Sequence, residues 1–404
     1  MYQATSYHKE RVFLQHLQTS TRVMYFIAIL SALSAIAYAL LILRLLRAWK
    51  ELPAFSSSGN KAVKLSCSLL IPARNEEKNL TRCLKSLLKQ KSTPKKIEYI
   101  LIDDFSTDRT SNIAHSFQEQ ELQLIEMAKI QPDFKGPAYK KQAILQGIKS
   151  STGDYLITTD ADCSFKEQWI HNMLTQVREG QLEALTGPVL IRQPSNFWEH
   201  FQALDFLSLM GVTAAGYQTG KMHLANGANF CFSRQAFCQV NGYQGIDDIA
   251  SGDDVLLMQK ISTQYPGKTA FAKNPEAAVF TTAEPDLFAF WQQRLRWATK
   301  TTSHLQSSTQ HLWAFVWLNY FSLLLGSASL FSASVGPASI FLFALSANAL
   351  VDYLFLRSLA HFFGQTRSLR YFVPAFFMHR LYVLLIGVWA LFQPAYRWKG
   401  RTLH

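Results

Sequence analysis

Tyr155-Leu-Ile-Thr-Thr-Asp-Ala-Asp-Cys163 is the stretch from which the architecture of the chain is best predicted, because its apolar run ends in two aspartates. The run is short, rich in strand-forming residues and preceded by Gly153 and Asp154, which predicts a buried strand. Ligands bind in open α/β sheets at the carboxyl ends of the strands, where Asp160 and Asp162 would lie. Carboxylates at that place suit Mg²⁺ or Mn²⁺, which commonly bridge the protein to substrate phosphates. A turn that merely exposes two carboxylates would show the same pattern.

Further strands and helices are predicted on the amino-terminal side of this stretch. Strands are expected over residues 65–71, 97–102 and 122–125, with a fourth over 155–159. Asn75 is expected to cap a helix with apolar residues at helical spacing from Leu80 onward, and another helix is predicted over 140–148. This alternation predicts an α/β fold whose mostly parallel sheet carries helices on both faces.

Acidic residues recur at the predicted strand ends, since Asp103 and Asp104 follow the strand at 97–102. The chain contains no Gly-x-Gly-x-x-Gly fingerprint and no Walker-type Gly-Lys-Ser/Thr loop, which argues against a dehydrogenase or a P-loop enzyme. Its five cysteines form no Cys-x-x-Cys pair. Reduced, chemically idle thiols are therefore expected, and none of the eleven histidines is assigned to a metal.

Apolar residues make up 49% of the chain and are concentrated in blocks. Residues 23–43 carry no charge, residues 312–351 lack Asp, Glu, Lys, Arg and His, and residues 371–396 are interrupted only by His379 and Arg380. A membrane span takes about 20 apolar residues, so one span is predicted before the polar domain and three after it. The predicted organisation is a tail over 1–22, a span over 23–46, a linker over 47–64, the polar domain over 65–300, and spans over 312–333, 336–356 and 371–393.

The net charge of +12 comes from 40 Lys and Arg against 28 Asp and Glu, and much of the excess flanks the predicted spans. Residues such as Arg44, Arg47 and Lys50 therefore place the central domain in the cytoplasm and predict a membrane partner rather than nucleic acid. The same flank favours an anchor over a cleaved signal peptide for the first block. With four spans both basic termini would lie outside, so the last block is predicted either to span or to lie in the interface.

The part of the chain after residue 163 holds other candidate elements. An aromatic, apolar stripe over 197–210 predicts a helix that packs in the core or docks on the bilayer. The loop over 226–230 contains small residues, which let backbone approach a ligand closely. Asp253 and Asp254 precede a predicted helix. Within the Trp-Gln-Gln-Arg-Leu-Arg-Trp sequence at 291–297, one helical face would carry Gln293, Arg296 and Trp297.

Several motifs follow one another in a recognisable order. They are Ser68-Leu-Leu-Ile-Pro-Ala-Arg-Asn-Glu76, Leu101-Ile-Asp-Asp-Phe-Ser-Thr-Asp108, Lys140 with Ala143 and Gly147, Asp160-Ala-Asp162, Gly227-Ala-Asn229, Asp253-Asp254 and Gln293-x-x-Arg296-Trp297. In this order, and followed by predicted spans, the chain resembles the membrane-anchored family 2 glycosyltransferases, a group that includes cellulose and hyaluronan synthases and ceramide glucosyltransferase. The resemblance covers residues 66–300 and implies a GT-A fold, the nucleotide-sugar-binding α/β domain of that family.

The resemblance also implies a role for each matching residue. Asp104 would recognise the base and ribose of the donor, for which a carboxylate is a suitable acceptor. Asp160 and Asp162 would hold Mg²⁺ or Mn²⁺ on the diphosphate, with Asp162 the firmer direct ligand of the two. Asp254 would be the general base that deprotonates the acceptor hydroxyl. The other residues expected to bind the nucleotide sugar are Lys140, Gln293, Arg296 and Trp297, the arginine through diphosphate oxygens.

Some positions depart from the family pattern or have plain structural explanations. Phe105 and Lys300 stand where glycine is frequent, and Asp253 stands where glutamate usually precedes the base. In the structural explanations, Lys140 and Lys141 lie on a solvated helix face and Asp103 and Asp108 cap helices. Arg294 would contact lipid headgroups.

The expected function is the inverting transfer of a hexose-type sugar from a nucleotide diphosphate sugar, UDP-linked by preference, to a hydroxyl of a lipid-linked or glycan acceptor. The reaction would take place at the cytoplasmic face of the cell membrane. A processive polysaccharide synthase is the alternative enzyme, but three carboxy-terminal spans are few for a polymer channel. An inactive membrane-bound binding partner in an envelope assembly is the alternative of another class. The intact carboxylates and the Arg-Trp pair argue against it.

Overall fold

The four strands predicted from the sequence all form, and they lie side by side in the larger of the sheets. The computed structural model describes residues 2–55, 63–91, 94–134, 136–301, 306–332, 334–392 and 395–403. In chain order the strands are β1 (Val63–Ala73), β2 (Pro94–Asp103), β3 (Leu122–Glu126), β4 (Tyr155–Thr158), β5 (Ser164–Phe165), β6 (Ala184–Thr186), β7 (Val189–Ile191), β8 (Phe230–Ser233), β9 (Thr269–Phe271), β10 (Val279–Thr281), β11 (Tyr396–Trp398) and β12 (Arg401–Leu403). The expected tether near residues 55–59 falls mostly outside the described residues.

The large sheet has seven strands in the order β3-β2-β1-β4-β8-β6-β9. Strands β3, β2, β1 and β4 pair in parallel, β8 is antiparallel to both of its neighbours, and β6 pairs in parallel with β9. A smaller sheet has the order β5-β10-β7, and β11 pairs with β12 in a hairpin. The prediction of a mostly parallel α/β sheet is confirmed.

The helices include those predicted from helical spacing. In chain order they are α1 (Tyr2–Glu51), α2 (Leu80–Leu87), α3 (Thr110–His115), α4 (Met127–Ile130), α5 (Tyr139–Lys149), α6 (Trp169–Gly180), α7 (Phe197–Thr219), α8 (Arg234–Gln239), α9 (Val255–Gln264), α10 (Leu287–Thr301), α11 (Ser307–Gly326), α12 (Val335–Phe362) and α13 (Phe372–Ala390). The expected cap at Asn75 is wrong, because α2 begins only at Leu80. Asn75 has a φ of 52°, and its side-chain oxygen accepts a hydrogen bond from the Thr107 amide at 2.8 Å.

Strand β1 has both of its faces buried, as expected of a central parallel strand. Leu69 and Ile71 pack in one apolar cluster with α2 and α6, whereas Leu70 packs in another with α5. Successive side chains of a strand point to opposite faces, so this alternation places helices on both sides of the sheet.

Helix α7 holds the aromatic, apolar stripe, and it lies inside the protein. Phe201, Leu204 and Leu207 are buried, and the helix contacts α1, α12, α13 and β7. A helix that is apolar on nearly all sides is stable only when it is surrounded. Of the two predicted roles for the stripe, core packing is therefore the one observed.

Helices long and apolar enough to cross a membrane, judged by length and composition, cover Thr21–Glu51, Ser307–Phe331, Val335–Phe362 and Thr366–Ala390. They correspond to the four predicted blocks. The last of them has both ends next to the polar domain. Before α13, Tyr371 stacks on His200 of α7 with ring centroids 4.5 Å apart. At its other end, Trp389 contacts Trp291 of α10 at 6.3 Å.

Candidate active site

One cavity of about 570 Å³ lies at the carboxyl edge of the large sheet, where β1, β2 and β4 end side by side. Because these strands are adjacent and parallel, the residues that follow them meet there. The cavity is lined by every residue that the sequence analysis proposed for the site, namely Asp104, Lys140, Asp160, Asp162, Asp254, Gln293, Arg296 and Trp297. Their proximity is as predicted, whereas their individual roles stay predictions.

Lys140 lies among carboxylates rather than in solvent. Its Nζ donates to Asp160 Oδ1 at 2.8 Å and lies 3.5 Å from Asp253 Oδ2. Burial alone would raise the pKa of Asp160, but the ammonium of Lys140 reverses this and leaves that pKa below its ordinary value. Both groups are thus charged at neutral pH, and the solvated face proposed for Lys140 is wrong.

Lys141 is also not solvated, because its side chain is 1% exposed. Its Nζ donates to three backbone carbonyls, those of Ile246 and Ile249 at 2.6 Å each and of Ser251 at 3.0 Å. These carbonyls belong to the loop that leads into Asp253 and Asp254. Lys141 therefore holds that loop in place.

Asp162 is the predicted direct ligand of a divalent ion, and its surroundings fit that role. Its Oδ2 accepts a hydrogen bond from Thr281 Oγ1 at 3.2 Å, and its carboxylate borders the cavity beside Asp160. Among the described residues no group of three His, Cys, Asp or Glu forms a ready-made metal cage. Mg²⁺ is commonly bound through one or two carboxylates plus substrate phosphates, so this pair is a sufficient protein contribution.

Asp254 is oriented by two backbone donors. Its Oδ1 accepts from its neighbour Val255 at 2.7 Å, which caps α9, and its Oδ2 accepts from Gly227 at 2.8 Å. A Cβ at residue 227 would lie 3.3 Å from both Asp253 Oδ2 and Lys140 Nζ, so glycine permits this close approach. The small-residue loop thus positions the proposed base.

Helix α10 brings Gln293, Arg296 and Trp297 to the cavity on one face, as their spacing predicts. Arg294 does not line the cavity and is 4% exposed. It pairs with the buried Asp205 of α7 at 2.5 Å, so the predicted contact with lipid headgroups is wrong. Burial raises the pKa of Asp205, but Arg294 more than reverses this and keeps the carboxylate ionised.

The buried Asp205 also ties α10 to α13. Tyr382 donates its hydroxyl to Asp205 Oδ1 at 2.5 Å, and His379 Nε2 lies 3.4 Å from the same oxygen. Arg294 meanwhile stacks over Trp297 with 4.4 Å between the guanidinium and the ring centroid. This group, which we call the Asp205 cluster (Asp205, Arg294, His379 and Tyr382), therefore fixes the orientation of the helix that carries Arg296 and Trp297.

Some residues of the cavity have no signal in the sequence. Glu284 accepts from Gln293 Nε2 at 2.5 Å, and burial together with the charge of Asp162 raises its pKa. The β11–β12 hairpin brings two cations to the Asp104 end of the cavity: Lys399 lines the cavity, and Arg401 pairs with Asp104 at 2.7 Å. In the sequence the basic residues of this hairpin are only charges beside the last apolar block.

Phe105 is one of the residues that depart from the family pattern. It has a φ of 55°, in the left-handed region that glycine adopts without strain. Its ring contacts Tyr139 edge-on at 5.8 Å, so the position has gained an aromatic contact in exchange for backbone strain.

Comparison with known proteins gives the family. A family model described as Glycosyl transferase family group 2 matches residues 155–391, more than half of the chain. A second model, Glycosyl transferase family 2, matches residues 68–240. The chain is a family 2 glycosyltransferase. The enzyme class predicted from the sequence is confirmed.

The glycosyltransferase has named relatives among bacterial proteins. It is 26% identical over 235 residues to "Probable glycosyltransferase YdaM" of Bacillus subtilis, a match that covers 57% of this chain and 54% of that protein. It is 26% identical over 234 residues to the poly-beta-1,6-N-acetyl-D-glucosamine synthase of Staphylococcus aureus (strain COL), covering 57% and 53%. The chain thus spans about half the length of the curated relatives it matches.

A solved structure supports the fold of the glycosyltransferase. The mannosyltransferase PcManGT from Pyrobaculum calidifontis, in complex with GDP-Man and Mn²⁺, superposes with a TM-score of 0.59 at 17% identity. The match covers 91% of this chain and 99% of that one. The GT-A fold is therefore confirmed.

Proposed function

We propose that the enzyme transfers a sugar, with inversion, from a nucleotide diphosphate sugar to a hydroxyl of a membrane-borne acceptor. The observation that carries this proposal is that carboxylates, cations and an apolar wall line one and the same cavity. Its charged part suits a donor diphosphate with a divalent ion. Its apolar part suits the acceptor.

The donor would lie along the carboxyl edge of the sheet. Asp104 is placed to accept hydrogen bonds from the base or ribose, and Arg296 to bind diphosphate oxygens. Asp160 and Asp162 would hold Mg²⁺ or Mn²⁺, which supplies Lewis-acid stabilisation of the leaving diphosphate. The complexes of PcManGT with GDP-Man and Mn²⁺ support both the donor class and the ion, although we expect UDP rather than GDP here.

The reaction would be a single displacement. The acceptor hydroxyl oxygen attacks the anomeric carbon, a new C–O bond forms on one face, and the bond to the β-phosphate oxygen breaks on the other. The nucleoside diphosphate leaves with the bonding electron pair. Asp254 takes the hydroxyl proton, and the two backbone donors to its carboxylate keep it in position.

The apolar wall points to an acceptor with a lipid part. It includes Phe206, Leu209 and Met210 of α7, and Trp313 near the start of α11. Since α11 is apolar and long enough to cross the membrane, this end of the cavity would open at the bilayer surface. A lipid-linked hydroxyl could then reach Asp254 without leaving the membrane.

We further propose residues 65–300 as the catalytic domain, on the cytoplasmic face of the cell membrane, and α1, α11 and α12 as the segments that cross. Both ends of α13 contact the catalytic domain, which supports an interfacial position for the last block. The hairpin that follows α13 reaches Asp104, so it must lie on the same side as the catalytic residues. An even number of crossings, α11 and α12, satisfies this requirement.

The test is release of nucleoside diphosphate by the purified full chain in detergent with lipid extract. UDP- and GDP-sugars are supplied with Mn²⁺ or with EDTA, and a sample without the protein is the reference. We expect Mn²⁺-dependent release that needs the lipid extract. Release no greater than that of the protein-free sample with every donor would instead favour an inactive binding partner.

A processive synthase is a second candidate because one relative is named as the synthase of a polysaccharide. Product size separates the two functions. A single added sugar on a lipid supports one transfer per acceptor, whereas a ladder of lengthening products supports polymerisation.

A further inference from the structure

The β11–β12 hairpin is folded onto the donor end of the cavity. Its strands pair from Tyr396 with Leu403 to Trp398 with Arg401. Lys399 and Gly400 form the two-residue turn, with φ of 45° and 80°. Two consecutive positive φ values are typical of the tight hairpin turn that matches the twist of its strands. The hairpin is therefore a defined element that presents Lys399 and Arg401 to the site.

Arg401 occupies both oxygens of Asp104. Its Nη1 donates to Oδ2 at 2.7 Å and its Nη2 to Oδ1 at 3.1 Å. The side chains of the pair are only 11% and 3% exposed. The guanidinium also stacks on Tyr139, 3.4 Å from the ring centroid, and lies 5.7 Å from that of Phe105. A planar group with N–H donors is thus held by a carboxylate and an aromatic face.

Lys399 fixes the hairpin at a second point. Its ammonium forms an ion pair with the buried Glu76. Arg74 joins the two sides, because its Nε donates to the Lys399 carbonyl at 3.0 Å while its Nη1 donates to the carbonyls of Asp104 and Phe105 at 2.9 and 2.6 Å. The hairpin is therefore bound to the loops after β1 and β2.

We propose that the 395–403 hairpin is an autoinhibitory element that competes with the donor nucleotide for Asp104. This inference rests on the proposed function, which makes Asp104 the residue that binds the base and ribose. A nucleobase is also planar, also stacks on aromatic rings and also donates N–H groups to a carboxylate. Arg401 and the base cannot use the same carboxylate and ring together, so the donor binds only after the hairpin has left.

Two measurements test this competition. The first is the Kd of UDP and of GDP with Mn²⁺ for the full chain and for Arg401→Gln. The apparent Kd is the intrinsic Kd divided by the fraction of molecules whose hairpin is open, so removing the ion pair should tighten nucleotide binding about tenfold, or about 1.4 kcal/mol. Arg370→Gln, at an exposed arginine that does not line the cavity, is the matched control and should leave the Kd unchanged.

The second measurement is hydrogen exchange of the amides of residues 395–403. Saturating UDP or GDP with Mn²⁺ should speed their exchange, because the hairpin is displaced. Slower exchange together with weaker binding by Arg401→Gln would overturn the proposal and make the hairpin part of the donor site. Unchanged exchange with unchanged Kd would overturn it as well.

The choice of variants distinguishes two further outcomes. If Arg401→Gln does not fold, Lys399→Gln is measured in its place, with tighter nucleotide binding again expected and unchanged or weaker binding against the proposal. If neither nucleotide binds the full chain or either variant, the assignment of Asp104 fails, and with it the proposed function. If the nucleotide binds equally well to the full chain and to all variants, the autoinhibition proposal is refuted and the proposed function is not.

Discussion

Asp254→Asn is expected to lower turnover about a hundred- to ten-thousand-fold, the range that a general base contributes. At about 1.36 kcal/mol for each factor of ten, this is about 2.7–5.4 kcal/mol of lost transition-state stabilisation. The structure adds a cost to stability. Both carboxylate oxygens accept backbone hydrogen bonds, from Gly227 and Val255, and an amide keeps only one acceptor. One buried N–H would face the new NH₂ group, a loss of about 1–3 kcal/mol.

Two quantities are measured for each variant. Turnover is measured with a competent acceptor, at a temperature well below that of unfolding. The donor Kd is measured by calorimetry in the presence of Mn²⁺. We expect the Kd to change little, because Asp104, Asp160 and Asp162 hold the donor. Asp248→Asn, at an exposed position of the preceding loop, is the matched control. Loss of donor binding as severe as the loss of turnover would refute the role of a base. A larger effect of Asp253→Asn would show that the motif is misaligned by one residue.

Asp162→Asn should lower turnover about a hundredfold or more, since Lewis-acid stabilisation is worth several kcal/mol, and should leave the melting temperature unchanged. Full turnover in EDTA would contradict it. Lys141→Met removes three charge-assisted hydrogen bonds, but it also removes the cost of burying an ammonium. Thermal unfolding should therefore show that the free energy of unfolding falls by about 2–4 kcal/mol. The exposed Lys149→Met is its control, and equal stability of the two would refute the loop-holding role. Cysteines introduced at Gln118 and at Ala395, in a chain without its native cysteines, should both be shielded from a membrane-impermeant reagent outside intact cells. Labelling at Ala395 alone would show that α13 crosses the membrane.

The sequence was most informative where local pattern and global fold agree. Buried parallel strands are short apolar runs, and the acidic residues after them, such as Asp104 and Asp160, must meet when the strands are adjacent. Helical spacing likewise placed Arg296 and Trp297 on one face. These features depend on residues close together in the chain.

The sequence was misleading where a basic residue finds its partner far along the chain. Lys141 and Arg294 have the pattern of exposed cations, yet both are buried. Lys141 donates hydrogen bonds to loop carbonyls, and Arg294 forms an ion pair with Asp205. The pairing of Arg401 with Asp104 bridges 297 positions, and no local spacing predicts it. Asn75 has the chemistry of a helix cap, but its oxygen is used by Thr107 instead. In each case a tertiary contact overrides a local preference.

The Asp205 cluster has a consequence for any shorter form of the enzyme. Proteolytic release of the catalytic domain near residue 301 would remove Tyr382 and His379 from Asp205 and expose the apolar side of α7. Arg294 would remain beside a carboxylate that has lost its other partners, and the helix bearing Arg296 would lose its support. We therefore expect a soluble fragment released at this point to be inactive. Catalysis by the enzyme would be confined to two dimensions, where encounter with acceptors depends on lateral diffusion and on their surface density.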